Sequence, residues 1–283
     1  MKKIITLVLA LVMISTCVVA LSSCSKGTAI GVQIGTTGQY FVDGDREWGF
    51  AGIKNCYSKG YQNGGLAVKD IQNGSIDYVI IDYAPAKELV KSIEGVKMIE
   101  IALTEEEYAF GVDKNQPELR EKINALIAEM MLNGEYAKII KAYAEGTGIN
   151  PVTSAAFDAN KADKQLVVAT NAAFAPFEYK EGDKFAGIDM EIAAYLANKL
   201  GLELVIMDMD FDAVVTSVGK NGVDIAMAGL TVTDTRKESV DFTVPYYTAA
   251  QVLIVRADDT SFDECKTADD VLVILATKVN EDK

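Results

Sequence analysis

Short apolar runs alternate along this chain with stretches whose apolar residues recur at helical spacing, the grammar of an α/β fold. Ala29 to Ile34, Tyr78 to Ile81 and Val96 to Ala102 read as buried strands, with helices predicted over Gly65 to Gln72 and Ala84 to Ser92 between them. In the second half Gln165 to Thr170, Leu202 to Met207 and Val223 to Ala228 are strand-like, and Ile188 to Leu200 and Phe211 to Gly219 are helix-like. Pro117 to Met131 places Leu119, Ile123, Leu126, Ile127 and Met130 on one helical face, with Pro117 suited to the first turn, and Glu135 to Tyr143 forms a further helix after Gly134. Asn73-Gly74 and Asn221-Gly222 each set a turn between a helix and a strand, a weak echo between two α/β units.

The segment Gly146 to Asp163 is small and polar with no sustained period. It reads as a linker; an ordinary surface loop is the alternative, though loops of this length are uncommon within compact domains. Extended, it reaches at most about 60 Å.

Lys2 and Lys3 followed by the apolar run Ile4 to Leu21 form an export signal rather than an element of the fold. Without it the formal charge moves from −14 to about −16. Such acidity argues against nucleic acid as a partner. No other apolar run is long enough to span a bilayer. The chain has no histidine, which removes histidine-based triads and most zinc sites; neither a cofactor nor a metal is expected. Of the four cysteines, Cys17 lies in the signal and Cys24 at its end, leaving Cys56 and Cys265, expected as free or packed thiols because spacing alone cannot establish the approach a bridge needs.

Two motifs carry a resemblance. Gly187-Ile188-Asp189-Met190-Glu191-Ile192, continuing through Leu196, Ala197 and Leu200, resembles the signature of extracellular solute-binding proteins of the amino-acid-binding kind. Gly31-Val32-Gln33-Ile34-Gly35-Thr36-Thr37-Gly38 is similar to the second-lobe ligand loop of that family. In the family the signature comes early and the loop later; here the order is reversed. The resemblance implies a two-lobed, hinged, periplasmic-binding-protein-like α/β fold of type II, circularly permuted. Lobe one would be residues 101 to 255 with the 146 to 163 linker, and lobe two residues 29 to 100 with a helix near Thr267 to Leu275. The crossings would fall near Ile99 to Leu103 and Val252 to Arg256.

The resemblance also implies a receptor that captures a polar amino acid and delivers it to an ABC permease. Leu21-Ser22-Ser23-Cys24 is similar to a lipobox, so Cys24 would be lipidated and hold the protein at the extracytoplasmic face of the membrane; an ordinary cleaved signal or an uncleaved anchor is the alternative. Only Ser25 to Thr28 would separate that anchor from the first strand.

An amino acid brings a carboxylate and an ammonium, each needing a partner if buried. By resemblance Arg236 makes a bidentate contact with the carboxylate, helped by Gly229 and Thr231, with Thr37 from the other lobe; read alone, Arg236 would be a surface residue. Asp82, at a strand end, matches the amine-binding aspartate, with a helix N-cap as the alternative. Phe174 and Phe211 match aromatic positions that sandwich the ligand, while Phe177 and Tyr179 go to the core. Asn171 stands in a slot often acidic in relatives that hold cationic side chains, which tilts the expectation away from lysine and arginine. Two rivals stay open: a dehydratase-like enzyme on the same fold, which needs a general acid that no feature here singles out, and a nonfunctional remnant of a tandem duplication. No catalytic residue is expected on the leading reading.

Overall fold

The computed structural model describes residues 27–278. The expected signal peptide, with Cys17 and Cys24, lies outside the described residues.

In the first half β1 (Thr28–Gln33), β2 (Cys56–Tyr61), β3 (Tyr78–Asp82) and β4 (Val96–Ile99) alternate with α1 (Thr37–Asp43), α2 (Gly64–Gln72) and α3 (Tyr83–Ser92). The chain then passes through β5 (Glu106–Tyr108) and β6 (Gly111–Val112) into α4 (Pro117–Asn133) and α5 (Glu135–Glu145). A 3-10 turn over Ala159–Lys164 leads into β7 (Gln165–Thr170), β8 (Ala173–Phe174), β9 (Glu178–Glu181) and β10 (Lys184–Ala186). After these come α6 (Ile188–Leu200), β11 (Glu203–Asp208), α7 (Phe211–Ser217), β12 (Ile225–Ala226) and α8 (Asp234–Ser239), then β13 (Asp241–Phe242), β14 (Tyr247–Ala249), β15 (Gln251–Arg256) and α9 (Ala268–Thr277).

Two five-stranded sheets result, ordered β2-β1-β3-β15-β4 and β11-β7-β12-β6-β13. Three parallel strands open each sheet, and an antiparallel strand from the other half of the chain fills the fourth place: β15 against β3 and β4 in one, β6 against β12 and β13 in the other. The two crossing segments pair with each other, Tyr108 opposite Tyr247 and Glu106 opposite Ala249, forming a two-stranded hinge ribbon. This is the two-lobed α/β arrangement with a hinge. Strands covered on both faces must be apolar throughout, and β3 and β7 are buried at every position. One hydrophobic cluster runs across the ribbon, from Val79, Ile81 and Val252 through Tyr108 and Phe177 to Leu166 and Ile225.

The expected boundaries need corrections. Val96 to Ala102 is strand only as far as Ile99, and of Val223 to Ala228 only Ile225–Ala226 is strand. The second crossing, expected at Val252 to Arg256, lies earlier: β15 is the fourth strand of the lobe-two sheet, so lobe one ends before Gln251 rather than at residue 255. An apolar run reports that a strand is buried, not which sheet buries it. The first crossing likewise extends past Leu103, through β5. The segment 146–163 lies along lobe one. Val152 forms a bridge with Phe185, Ala155 N–H donates to the Leu204 carbonyl at 2.8 Å, and the Glu191 carboxylate accepts from Asn150 N–H at 2.9 Å.

Signature glycine Gly187 has a stereochemical cause. Its φ is 131°, and a Cβ there would stand 2.0 Å from the Phe177 carbonyl oxygen. Only glycine allows α6 to start this close to the β8–β9 hairpin. Asp189, two residues on in the motif and fully buried, accepts from Gly229 N–H at 3.0 Å and from the Tyr246 hydroxyl at 2.5 Å, so it fixes the loop after β12.

Candidate functional site

Parallel strands of open α/β sheets end where ligands bind. In this chain β1, β3, β7 and β12 deliver the loops around one cavity between the lobes. Gln33, Thr36, Thr37 and Asp82 line it from lobe two, and Phe174, Phe211, Gly229, Thr231 and Arg236 from lobe one. All the residues singled out from the sequence line this cavity except Asn171. Asn171 stands one bond behind, its Oδ1 accepting from Gln33 Nε2 at 2.9 Å and its Nδ2 donating to the Met209 carbonyl at 2.7 Å.

Arg236 sits in α8, where the Thr233 hydroxyl accepts its backbone N–H at 3.2 Å and caps the helix. Its guanidinium is buried; Nη1 donates to the Thr231 carbonyl at 2.9 Å and Nη2 crosses the cleft to the Gly35 carbonyl at 3.2 Å. Burial draws its pKa down to about 10, with Glu106 and Asp82 opposing, so it remains a cation at neutral pH. Among the described residues no carboxylate forms an ion pair with it. A buried cation whose hydrogen bonds go only to carbonyls is a ready anion site. The hydroxyls of Thr37 and Thr231 meet beside it at 3.1 Å.

Asp82 occupies the N-cap position of α3, yet its side chain caps nothing. Its Oδ1 instead accepts from the Tyr108 hydroxyl at 2.5 Å. Burial raises its pKa, the charge of Glu106 adds to that, and Tyr108 opposes. A carboxylate so placed gains most from a cation brought to it. Gly229 approaches closely: a Cβ at its φ of 53° would press on the Phe174 ring at 3.0 Å and on Tyr108 at 3.2 Å.

Three residues in or against this cavity escaped the sequence reading. Glu106, buried, accepts from the hydroxyls of Thr104 and Thr231, each at 2.6 Å, and from Gln251 Nε2 at 3.1 Å. In a run of three glutamates it reads as solvated; only the alternation of Glu106 in, Glu107 out, Tyr108 in betrays a strand. Tyr108, partner of Asp82, belongs to the same short strand. Gln33 was quoted in the ligand loop without a role, and its Oε1 is buried without a partner. Phe177 is fully buried, as expected of a core residue, and Tyr179 is partly buried. Cys56 and Cys265 are free thiols, and burial pushes Cys56 up to about 11.

Behind the cavity lies a second carboxyl cluster. Glu178 is fully buried beside Asp189. Burial and the charge of Asp189 hold Glu178 well above the usual carboxylate range, and burial lifts Asp189 to about 7.

Residues 166–281 match the family model of bacterial extracellular solute-binding proteins, family 3. Over 95 residues the chain is 43% identical to the arginine-binding extracellular protein ArtP of Bacillus subtilis, covering 34% of this chain and 37% of ArtP. Over 87 residues it is 33% identical to the L-arginine-binding protein of Pseudomonas aeruginosa, covering 30% and 34%; over 108 residues it is 30% identical to the L-cystine-binding protein TcyJ of Escherichia coli, covering 38% and 40%. The chain thus spans between 34% and 40% of the length of these relatives. Among solved structures, an amino acid ABC transporter substrate-binding protein of Streptococcus pneumoniae bound to L-arginine is 43% identical, with 31% of this chain and 39% of that chain covered and a TM-score of 0.29. No helix among the described residues is long and apolar enough to cross a membrane.

Proposed function

We propose that this chain, whose residues 166–281 match the family model of bacterial extracellular solute-binding proteins, family 3, holds a free polar amino acid between its lobes and hands it to an ABC permease. One observation carries the reading: a buried arginine without an anionic partner and a buried aspartate that caps nothing line the same cavity from opposite lobes. The two charges suit the two ends of a zwitterion. Arg236, with the hydroxyls of Thr37 and Thr231, takes the carboxylate; Asp82 takes the ammonium. Phe174 and Phe211 flank the side chain, Gln33 Oε1 offers it an acceptor, and Asn171 positions Gln33. Because contacts come from both lobes, binding shifts a hinge equilibrium toward closure at the β5–β14 ribbon. Cys24 anchors the receptor by lipid at the extracytoplasmic face, and the order of parts is that of a circular permutation. The neighbourhood of Thr28 and Lys278, whose hydroxyl and carbonyl bond, supports that order.

Relatives named for arginine, histidine and cystine set the first candidates, and neutral Asn171 favours the less cationic of them. A thermal-shift screen of the purified chain against the twenty amino acids tests the reading. One or a few should raise the melting temperature; no response from any would contradict it. The dehydratase alternative draws on the raised pKa of Asp82, a trait of general acids. Turnover of a prephenate-like substrate, lost in Asp82→Asn, would favour it.

A further inference from the structure

The loop between α1 and β2 turns back on itself. Asp45 and Phe50 exchange backbone hydrogen bonds at 2.9 and 2.8 Å, and Asp45 Oδ1 collects the N–H groups of Glu47 and Trp48 at 2.8 and 3.1 Å. Phe50 meets Phe41 of α1 edge-on at 5.4 Å, and Trp48 lies against Tyr40 of α1 at 4.2 Å between centroids. Lobe two therefore holds this loop, and Trp48 at its tip, in one place.

From there Trp48 reaches lobe one. Its Nε1 donates to the Thr235 hydroxyl at 3.0 Å, and its ring lies 5.1 Å from the centre of the Arg236 guanidinium, which the Phe211 ring also faces at 5.4 Å. Glu47, beside it, accepts from the Thr235 hydroxyl at 3.4 Å. None of these contacts can form unless the lobes meet. We propose that Trp48 is a positioning residue for the anion subsite: a lid that lobe two lays over Arg236 on closure, excluding water from the guanidinium and slowing escape of the bound carboxylate. By excluding water, a ring packed on a guanidinium lowers the effective dielectric through which that charge attracts an anion on its other side. The effect on binding rests on the amino-acid reading above; the lid contact itself does not.

Trp48 is the chain's only tryptophan, so its emission reports the lid directly. The experiment measures acrylamide quenching of the full chain, with and without an equimolar mixture of the twenty L-amino acids, in the wild type and Thr235→Val, and the rate at which a radiolabelled form of the amino acid that most raises the melting temperature is released under unlabelled chase, in the wild type, Trp48→Phe and Trp48→Ala. The mixture is expected to remove most acrylamide access in the wild type. Trp48→Ala is expected to speed release about tenfold with little change in association, and Trp48→Phe to recover part of that. Binding that leaves quenching unchanged, or release unaltered in Trp48→Ala, overturns the lid. If the mixture neither raises the melting temperature nor alters quenching, the amino-acid reading fails by itself. The lid is then judged by Thr235→Val alone: greater acrylamide access than wild type sustains the contact, and equal access overturns it.

Discussion

The hydroxyls of Thr37, first residue of the helix after β1, and Thr231, in the loop after β12, lie 3.1 Å apart and come from different lobes. Thr231 in turn donates to Glu106 on the hinge ribbon at 2.6 Å, so ligand loop, ligand loop and hinge form one chain of hydrogen bonds. On the function proposed above, a ligand oxygen that takes over the Thr37–Thr231 contact would act on the hinge through Glu106.

Asp82→Asn keeps the shape and the bond from Tyr108 but removes the charge that meets an ammonium. Affinity should fall by about 2–5 kcal/mol. Because burial raises Asp82 above its ordinary range, acid should protonate it and weaken binding, so affinity at pH 5.5 should be lower than at pH 8. Calorimetry at the two pH values checks both, and Asp82→Asn should lose most of the pH dependence.

Stability should run the other way. Glu178 and Asp189 are held above the carboxylate range in the fold, Asp189 at about 7, so between pH ~4 and ~7 the folded chain binds more protons than the unfolded one. Their contribution is fully present below the unfolded value and is lost as pH rises through the folded one. The melting temperature is expected to be several degrees higher at pH 5.5 than at pH 8, at about 2–4 °C per kcal/mol for a chain of this size. Glu178→Gln should flatten that slope.

Gly187→Ala places a methyl 2.0 Å from the Phe177 carbonyl oxygen and should cost about 2–4 kcal/mol. Gly182, at φ 63° with open space around it, is the comparison: Gly182→Ala should cost only about 1–2 kcal/mol. Urea denaturation of the two variants separates steric conflict from backbone preference.

Asn55 Nδ2 donates to the Ala276 carbonyl at 2.9 Å, beside the bond between Thr28 and Lys278. A chain with residue 278 joined to residue 28 and opened within 146–163 should fold and rank amino acids as the original does, because neighbouring ends tolerate such rearrangement. A thermal-shift comparison of the two chains measures this; loss of cooperative melting would count against the permuted order.

The long strands were legible because strands buried on both faces must be apolar: Tyr78–Asp82 and Gln165–Thr170 announce themselves. So did most of the cavity, since Asp82 at the end of its strand, Thr231, and Arg236 in the first turns of its helix belong to stretches whose residue types match a known pattern. The crossing strands were not legible. Glu106–Tyr108 and Tyr247–Ala249 are three residues each, too short for a period, and their pairing is entirely long-range. Glu106 was hidden by its glutamate neighbours. Trp48 was hidden for another reason: its partners, Thr235 and Arg236, lie in the other half of the chain, and no local pattern encodes a contact made only when two lobes meet.

The most direct test is isothermal titration of the full chain with the amino acid that most raises its melting temperature, beside the α-carboxamide of that amino acid, on wild type and Arg236→Ala. The account predicts binding of the free amino acid by the wild type alone, with a loss of about 3–5 kcal/mol in Arg236→Ala and a comparable loss for the carboxamide. Near-normal affinity in Arg236→Ala, or equal binding of the carboxamide, would contradict a zwitterion held between Asp82 and Arg236.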